Sequence, residues 1–284
     1  MRELVRRHRI ACFLAITYAV SWGAWLPLAL AHRRVGPGLS PAYLAGLLGP
    51  MIGAVATRAI SDGRTGLREL GARMIRVRVE VRAWAIAIGV PFATYAATYV
   101  VLAAYAMFLL APIVLPSWHS LGMFTGFPIT NAAALLVMLV IVNGFGEETG
   151  WRGFLQPELQ RTHSPVVASL LVAACWAPWH VPAFFVSETY RQMPPATIPM
   201  FFVGLASAAL FLGWLANRAR GSVTVVAVFH GAYNLFAGTV GARGPLATVE
   251  STVVIFAAAA IVVRELREPH EHVPPASRLQ DAWS

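Results

Sequence analysis

Of the 13 acidic residues and eight histidines in this 284-residue chain, Glu147, Glu148, His180 and His230 are the ones that fall well inside apolar stretches. A charged side chain at the middle of a bilayer costs at least ~2.5 to 3.5 kcal/mol, so such residues mark a polar interior and a function. Glu147 and Glu148 lie in Asn143-Gly-Phe-Gly-Glu-Glu-Thr-Gly-Trp-Arg152. Glu148 and Arg152 are i and i+4, the acid first, which is the favourable order for a helical ion pair. Glu147, turned about 100° away, is left for other work, and Asn143 lies one ideal turn before it. His180 stands between Pro178 and Pro182, one turn after Trp176, and His230 is followed at i+4 by Asn234. Each element alone has a structural reading, as a helix-end ion pair, a packed histidine or an interhelical hydrogen bond. Together they supply a base for water and imidazole and amide donors for an oxyanion, the parts needed to hydrolyse a carbonyl compound.

The elements that must position these groups are membrane helices. The chain is 57% hydrophobic and 12% charged, with a mean hydropathy of +0.62, against about 25% charged in a soluble domain. Eight spans are predicted, at Ile10 to Ala31, Pro41 to Ala59, Trp84 to Leu110, Ala132 to Trp151, Val166 to Val186, Ile198 to Ala216, Val223 to Val240 and Val249 to Val263. The apolar runs lack the alternation of barrel strands, so the expected fold is an all-α polytopic membrane helix bundle. All 22 basic residues are arginine, and with both termini cytoplasmic 18 of them lie inside and four outside. That asymmetry accounts for the net charge of +9 without nucleic acid as a partner, and places the protein in the cell membrane. The basic start and Ala29-Leu30-Ala31 also fit a cleaved signal peptide, but the apolar run is long for one and Trp22 and Trp25 read as an interfacial belt.

Residues 1–264 read as one transmembrane domain with a catalytic core at 131–240, and 265–284 as a polar tail whose His270 and His272 are incidental. The basic stretch Ser61 to Arg82 reads as an interfacial segment on anionic lipid, with a substrate-binding arm as the alternative. Gly49-x-x-x-Gly53 is a candidate helix-packing motif. Cys12 and Cys175 both lie in apolar stretches and give no disulfide framework. Counted along ideal helices, Glu147 and His230 fall in the cytoplasmic half and His180 toward the outside. A shared site therefore requires span five to begin deeper or bend at Pro178, or the helix at Glu147 to be displaced.

The ordered set Glu147-Glu148-x-x-x-Arg152, Trp176-x-x-x-His180 and His230-x-x-x-Asn234 resembles the CPBP family of intramembrane proteases, which includes type II CAAX prenyl endopeptidases and Abi-type bacteriocin-processing or immunity proteins. The resemblance implies that Glu147 activates water with help from His180, that Glu148 and Arg152 support the site, and that His230 and Asn234 bind the oxyanion. Trp176 replaces the phenylalanine often found at its position, a change expected to matter little. Members are commonly labelled metalloproteases, so Glu147, His180 and His230 are a possible ligand set for a divalent metal such as zinc; metal-free, glutamate-activated water is the other account. The expected partners are the lipid bilayer and a membrane-associated, prenylated or bacteriocin-like peptide or a membrane protein. A non-catalytic immunity or scaffold protein using the same pocket is the alternative function, and a small-solute or proton-coupled transporter a third.

Overall fold

The computed structural model describes residues 2–33, 41–109, 132–191, 193–237 and 245–267. Among these the secondary structure is helical: α1 (Arg2–Arg7), α2 (Arg9–Leu30), α3 (Pro41–Leu47), α4 (Gly49–Met74), α5 (Val81–Leu109), α6 (Ala132–Leu139), α7 (Gly146–Gly150), α8 (Gln156–Leu159), α9 (Pro165–Trp179), α10 (Ala183–Val186), α11 (Glu188–Arg191), α12 (Ile198–Arg218), α13 (Val223–Ala237) and α14 (Pro245–Arg267). Five helical stretches are long and apolar enough to cross a membrane, or six if α3 and α4, which meet at 50°, count as one broken span. The protein is a multi-pass membrane protein.

Helix boundaries follow local signals. Ser164 caps α9 by accepting from the Val167 amide at 3.3 Å, with Pro165 in the first turn. Ser222 does the same for α13 through the Val225 amide, after a tight turn in which Arg220 and Gly221 take positive φ. The basic stretch predicted after Ser61 continues α4 as a helix to Met74, re-aimed at Gly63, whose φ of 64° is left-handed. Its end is held by the hydroxyls of Thr224 and Ser222, which donate to the carbonyls of Met74 and Arg76. α14 runs to Arg267, past the predicted domain end at residue 264. The predicted tail from residue 268 on, with His270 and His272, lies outside the described residues, as does the end of the seventh predicted span.

The bundle core forms where α2, α4, α7, α9, α12 and α13 meet. α2 carries Tyr18, Ser21, Trp22 and Trp25 at helical spacing, and this stripe faces α9 and α3. The Tyr18 hydroxyl donates to the Cys175 carbonyl at 2.5 Å, Trp179 Nε1 to Ser21 Oγ at 2.7 Å and Trp25 Nε1 to the Tyr43 carbonyl at 3.0 Å. Trp25 is thus not part of a lipid-facing belt. Trp25 is completely buried, its indole N–H satisfied inside the bundle, and the half-buried Trp22 donates to the Trp179 carbonyl. Gly49 and Gly53 pack within the chain, their Cα atoms facing Ser21 and Thr17 of α2.

Two glycines bring the acidic segment against its neighbours. A Cβ on Gly144 would strike the Ala227 backbone on α13, and one on Gly150 would lie 2.6 Å from the Pro50 carbonyl oxygen on α4. Neither neighbour is a flexible side chain that could yield. Gly150→Ala should therefore force α4 and α7 apart, at a cost of about 1 to 3 kcal/mol. A thermal midpoint in detergent several degrees below wild type is the expected reading, and an unchanged midpoint would refute the close-packing account.

Candidate active site

The two glutamates sit on α7, a single α-helical turn enclosed by two π-helical turns, Val140–Phe145 and Trp151–Leu155. Wide turns of this kind inside a helix cluster at functional sites. The first one holds Asn143, which the sequence places one turn before Glu147. Among the described residues it makes no side-chain hydrogen bond to Glu147. The Glu148–Arg152 pair does form, with Arg152 Nη1 3.0 Å from Glu148 Oε2 and 3.1 Å from Oε1, both side chains buried.

His230 reaches this pair from α13. Its Nδ1 lies 2.7 Å from Glu148 Oε1. The Glu148 carboxylate thus accepts from both a guanidinium and an imidazole, and the Nδ1 proton of His230 is committed to it. Nε2 is the nitrogen left for a ligand, and as an imidazolium it would be a donor. Asn234 follows one turn later, half-buried and without a side-chain partner among the described residues.

His180 comes from the far end of α9. That helix stops at Trp179, and the chain then tightens through bonds between residues three apart, from the His180 amide to the Ala177 carbonyl and from the Val181 amide to the Pro178 carbonyl. Pro178 and Pro182 lack amide protons, which favours a break here over a continuous helix. At the break His180 Nδ1 lies 2.9 Å from the Trp176 carbonyl. A carbonyl can only accept, so Nδ1 carries the proton and Nε2 presents a lone pair. Of the routes by which the sequence could assemble its site, the structure has a break just beyond Pro178 and π turns on both sides of Glu147.

Trp176 joins the three helices. Its Nε1 donates to Glu147 Oε2 at 2.8 Å. Its indole centroid lies 5.6 Å from the His180 ring and 5.9 Å from the His230 ring, with the Arg152 guanidinium carbon 4.8 Å away over its face. Tyr43 of α3 and Tyr190 of α11 complete the surroundings, both close enough to sense the Glu147 charge. Beyond His180 an aromatic wall continues through Tyr190 and Phe201, each ring in edge-on contact with the imidazole. Sequence reasoning gave Trp176 no role beyond its aromatic bulk, and passed over Tyr43, Tyr190 and Phe201. The signal for Trp176 was its N–H, which phenylalanine lacks.

Among the described residues, no three His, Cys, Asp or Glu side chains stand together as metal ligands. Of the groups expected to form such a set, Glu147 accepts from Trp176 through Oε2, while His230 Nδ1 faces Glu148 and His180 Nδ1 faces a carbonyl, which leaves Nε2 free on both imidazoles.

Residues 129–236, which contain every one of these groups except those on α3, match the family model described as type II CAAX prenyl endopeptidase Rce1-like. Over this segment the chain is similar to the CAAX-protease family. The Rce1-like segment is also similar to CAAX prenyl protease 2 of Methanococcus maripaludis, at 28% identity over 138 residues, which are 47% of this chain and 51% of that protein. The chain thus spans about half the length of that relative. The Rce1-like match runs from just before α6 to the end of α13, the stretch over which Glu147, Glu148, Arg152, Trp176, His180, His230 and Asn234 are distributed.

Proposed function

We propose that the protein is an intramembrane endopeptidase that hydrolyses a peptide bond by glutamate-activated water. The observation that carries this reading is the convergence on one indole of a buried carboxylate and two imidazoles whose free nitrogens are set for different tasks. Glu147 takes a proton from water as the oxygen attacks the scissile carbonyl carbon. His180, with its Nε2 lone pair exposed, orients that water or relays its proton. Charge developing on the carbonyl oxygen is received by His230 Nε2–H, supported through Nδ1 by the Glu148 carboxylate, and by the Asn234 amide. The proton held by Glu147 then passes to the leaving nitrogen as the C–N bond breaks, which leaves a carboxylate product, an amine product and the enzyme unchanged. No step calls on a metal.

The substrate class follows from position and from the family. An apolar site wall of Tyr190 and Phe201 suits a peptide that arrives with a hydrophobic anchor, so a prenylated or bacteriocin-like peptide, or a membrane protein, is the proposed substrate. The name of the methanococcal relative points the same way. On the eight-span reading 18 of the 22 arginines fall on one side, which argues for both termini in the cytoplasm and for anionic lipid beside Ser61 to Arg82.

The test is cleavage by the purified protein in detergent of matched peptides with and without a prenyl chain, and of bacteriocin-leader peptides, with products identified by mass spectrometry. Cleavage at one bond, retained in the presence of a chelator, is expected. His180→Ala should reduce it about 100- to 10,000-fold. Loss of cleavage on chelation and its return with zinc would overturn the metal-free account. Full activity of His180→Ala would remove His180 from the chemistry.

A further inference from the structure

Trp176 makes two contacts that serve the base. Its indole N–H donates to Glu147 Oε2 at 2.8 Å, and its main-chain carbonyl accepts from His180 Nδ1 at 2.9 Å. One residue therefore orients both groups assigned to the attacking water. The indole is itself held in place. Arg152 lies over one face at 4.8 Å, and the Trp151 ring, completely buried, packs 6.5 Å away. A cation over the ring withdraws electron density from the indole and makes its N–H a stronger donor.

The carboxylate has few other ways to be fixed. Glu148 and Arg152 share its own helical segment but bond to each other, and His230 on α13 bonds to Glu148. Tyr43 and Tyr190 stand near the Glu147 charge, and among the described residues the Trp176 N–H is its side-chain hydrogen bond. A buried carboxylate free to rotate would lose both its aim and the pre-arranged geometry on which proton abstraction depends. Phenylalanine would keep an aromatic ring of smaller volume and the same main-chain bond to His180, but could not donate.

From this we infer that Trp176 is a positioning residue: its indole N–H fixes the Glu147 carboxylate for attack on water, a role that the ring alone cannot fill. The inference rests on Glu147 being the base. It is tested with Trp176→Phe and Glu147→Ala in the full-length protein in detergent, by cleavage kinetics and by the indole N–H resonances of 15N-tryptophan-labelled protein. Trp176→Phe should lower kcat about 10- to 100-fold, the range for loss of one hydrogen bond to a charged group, with KM within about twofold. The indole resonance missing from Trp176→Phe should move upfield in Glu147→Ala, which a merely structural tryptophan would not show. Wild-type kcat in Trp176→Phe, or an indole resonance indifferent to Glu147, would overturn the inference and leave the endopeptidase reading intact. Wild-type activity in Glu147→Ala would overturn both.

Discussion

Glu147→Gln should lower the rate of peptide-bond hydrolysis at least about 1,000-fold while the protein keeps its fold. The substitution is nearly isosteric and still offers an acceptor to the Trp176 N–H, so the 2.8 Å contact can persist. What it removes is the ability to take a proton from water, and general bases contribute roughly 100- to 10,000-fold. The buried site puts the expected loss in the upper part of that range, because bulk water cannot substitute as base at a residue 3% exposed. Steady-state cleavage assays check the rate, and thermal unfolding in detergent checks the fold. A Glu147→Gln enzyme within tenfold of wild type would mean that another group activates the water.

Arg152→Ala should have the largest effect on stability, a loss of about 3 to 5 kcal/mol, the usual consequence of stranding one partner of a buried ion pair. Glu148 is fully buried and Arg152 is 2% exposed, so water cannot take over from the lost guanidinium. Arg152→Lys restores the charge without the planar fork and should recover part of the loss. A double change, Glu148→Leu with Arg152→Met, removes both charges and should be more stable than Arg152→Ala alone. It should nonetheless be inactive, because His230 Nδ1 then loses the carboxylate at 2.7 Å. Thermal midpoints and cleavage rates of the three variants together separate stability from chemistry. An Arg152→Ala protein that melts with wild type would contradict the buried-pair account.

Much of the site was legible because its residues violate the rule for their surroundings. Glutamates and histidines in apolar runs are costly enough that few accumulate by chance, and the i, i+4 relation of Glu148 and Arg152 survives in the fold. The helical class was legible from composition alone. The parts that the sequence hid depend on departures from ideal geometry. Two π-helical turns are invisible to a 3.6-residue period. Trp25 reads as interfacial because tryptophans near a span end commonly are, whereas its indole is buried with the Tyr43 carbonyl of the next helix as acceptor. Trp176 was undervalued for a related reason: whether an indole N–H matters depends on what lies opposite, and Glu147 is 29 residues away.

The central claim is that Glu147, His180 and His230 are one hydrolytic site, and single-turnover cleavage of a membrane-anchored peptide by the reconstituted protein tests it most directly. Wild type, Glu147→Ala, His180→Ala and His230→Ala would be compared in the same liposomes, after each is shown to unfold cooperatively. Residues of one catalytic unit are strongly non-additive. The account predicts that each single variant loses most of the activity, and that the triple variant is scarcely worse than Glu147→Ala. Cleavage that persists in Glu147→Ala, or losses that multiply independently across the three positions, would contradict it.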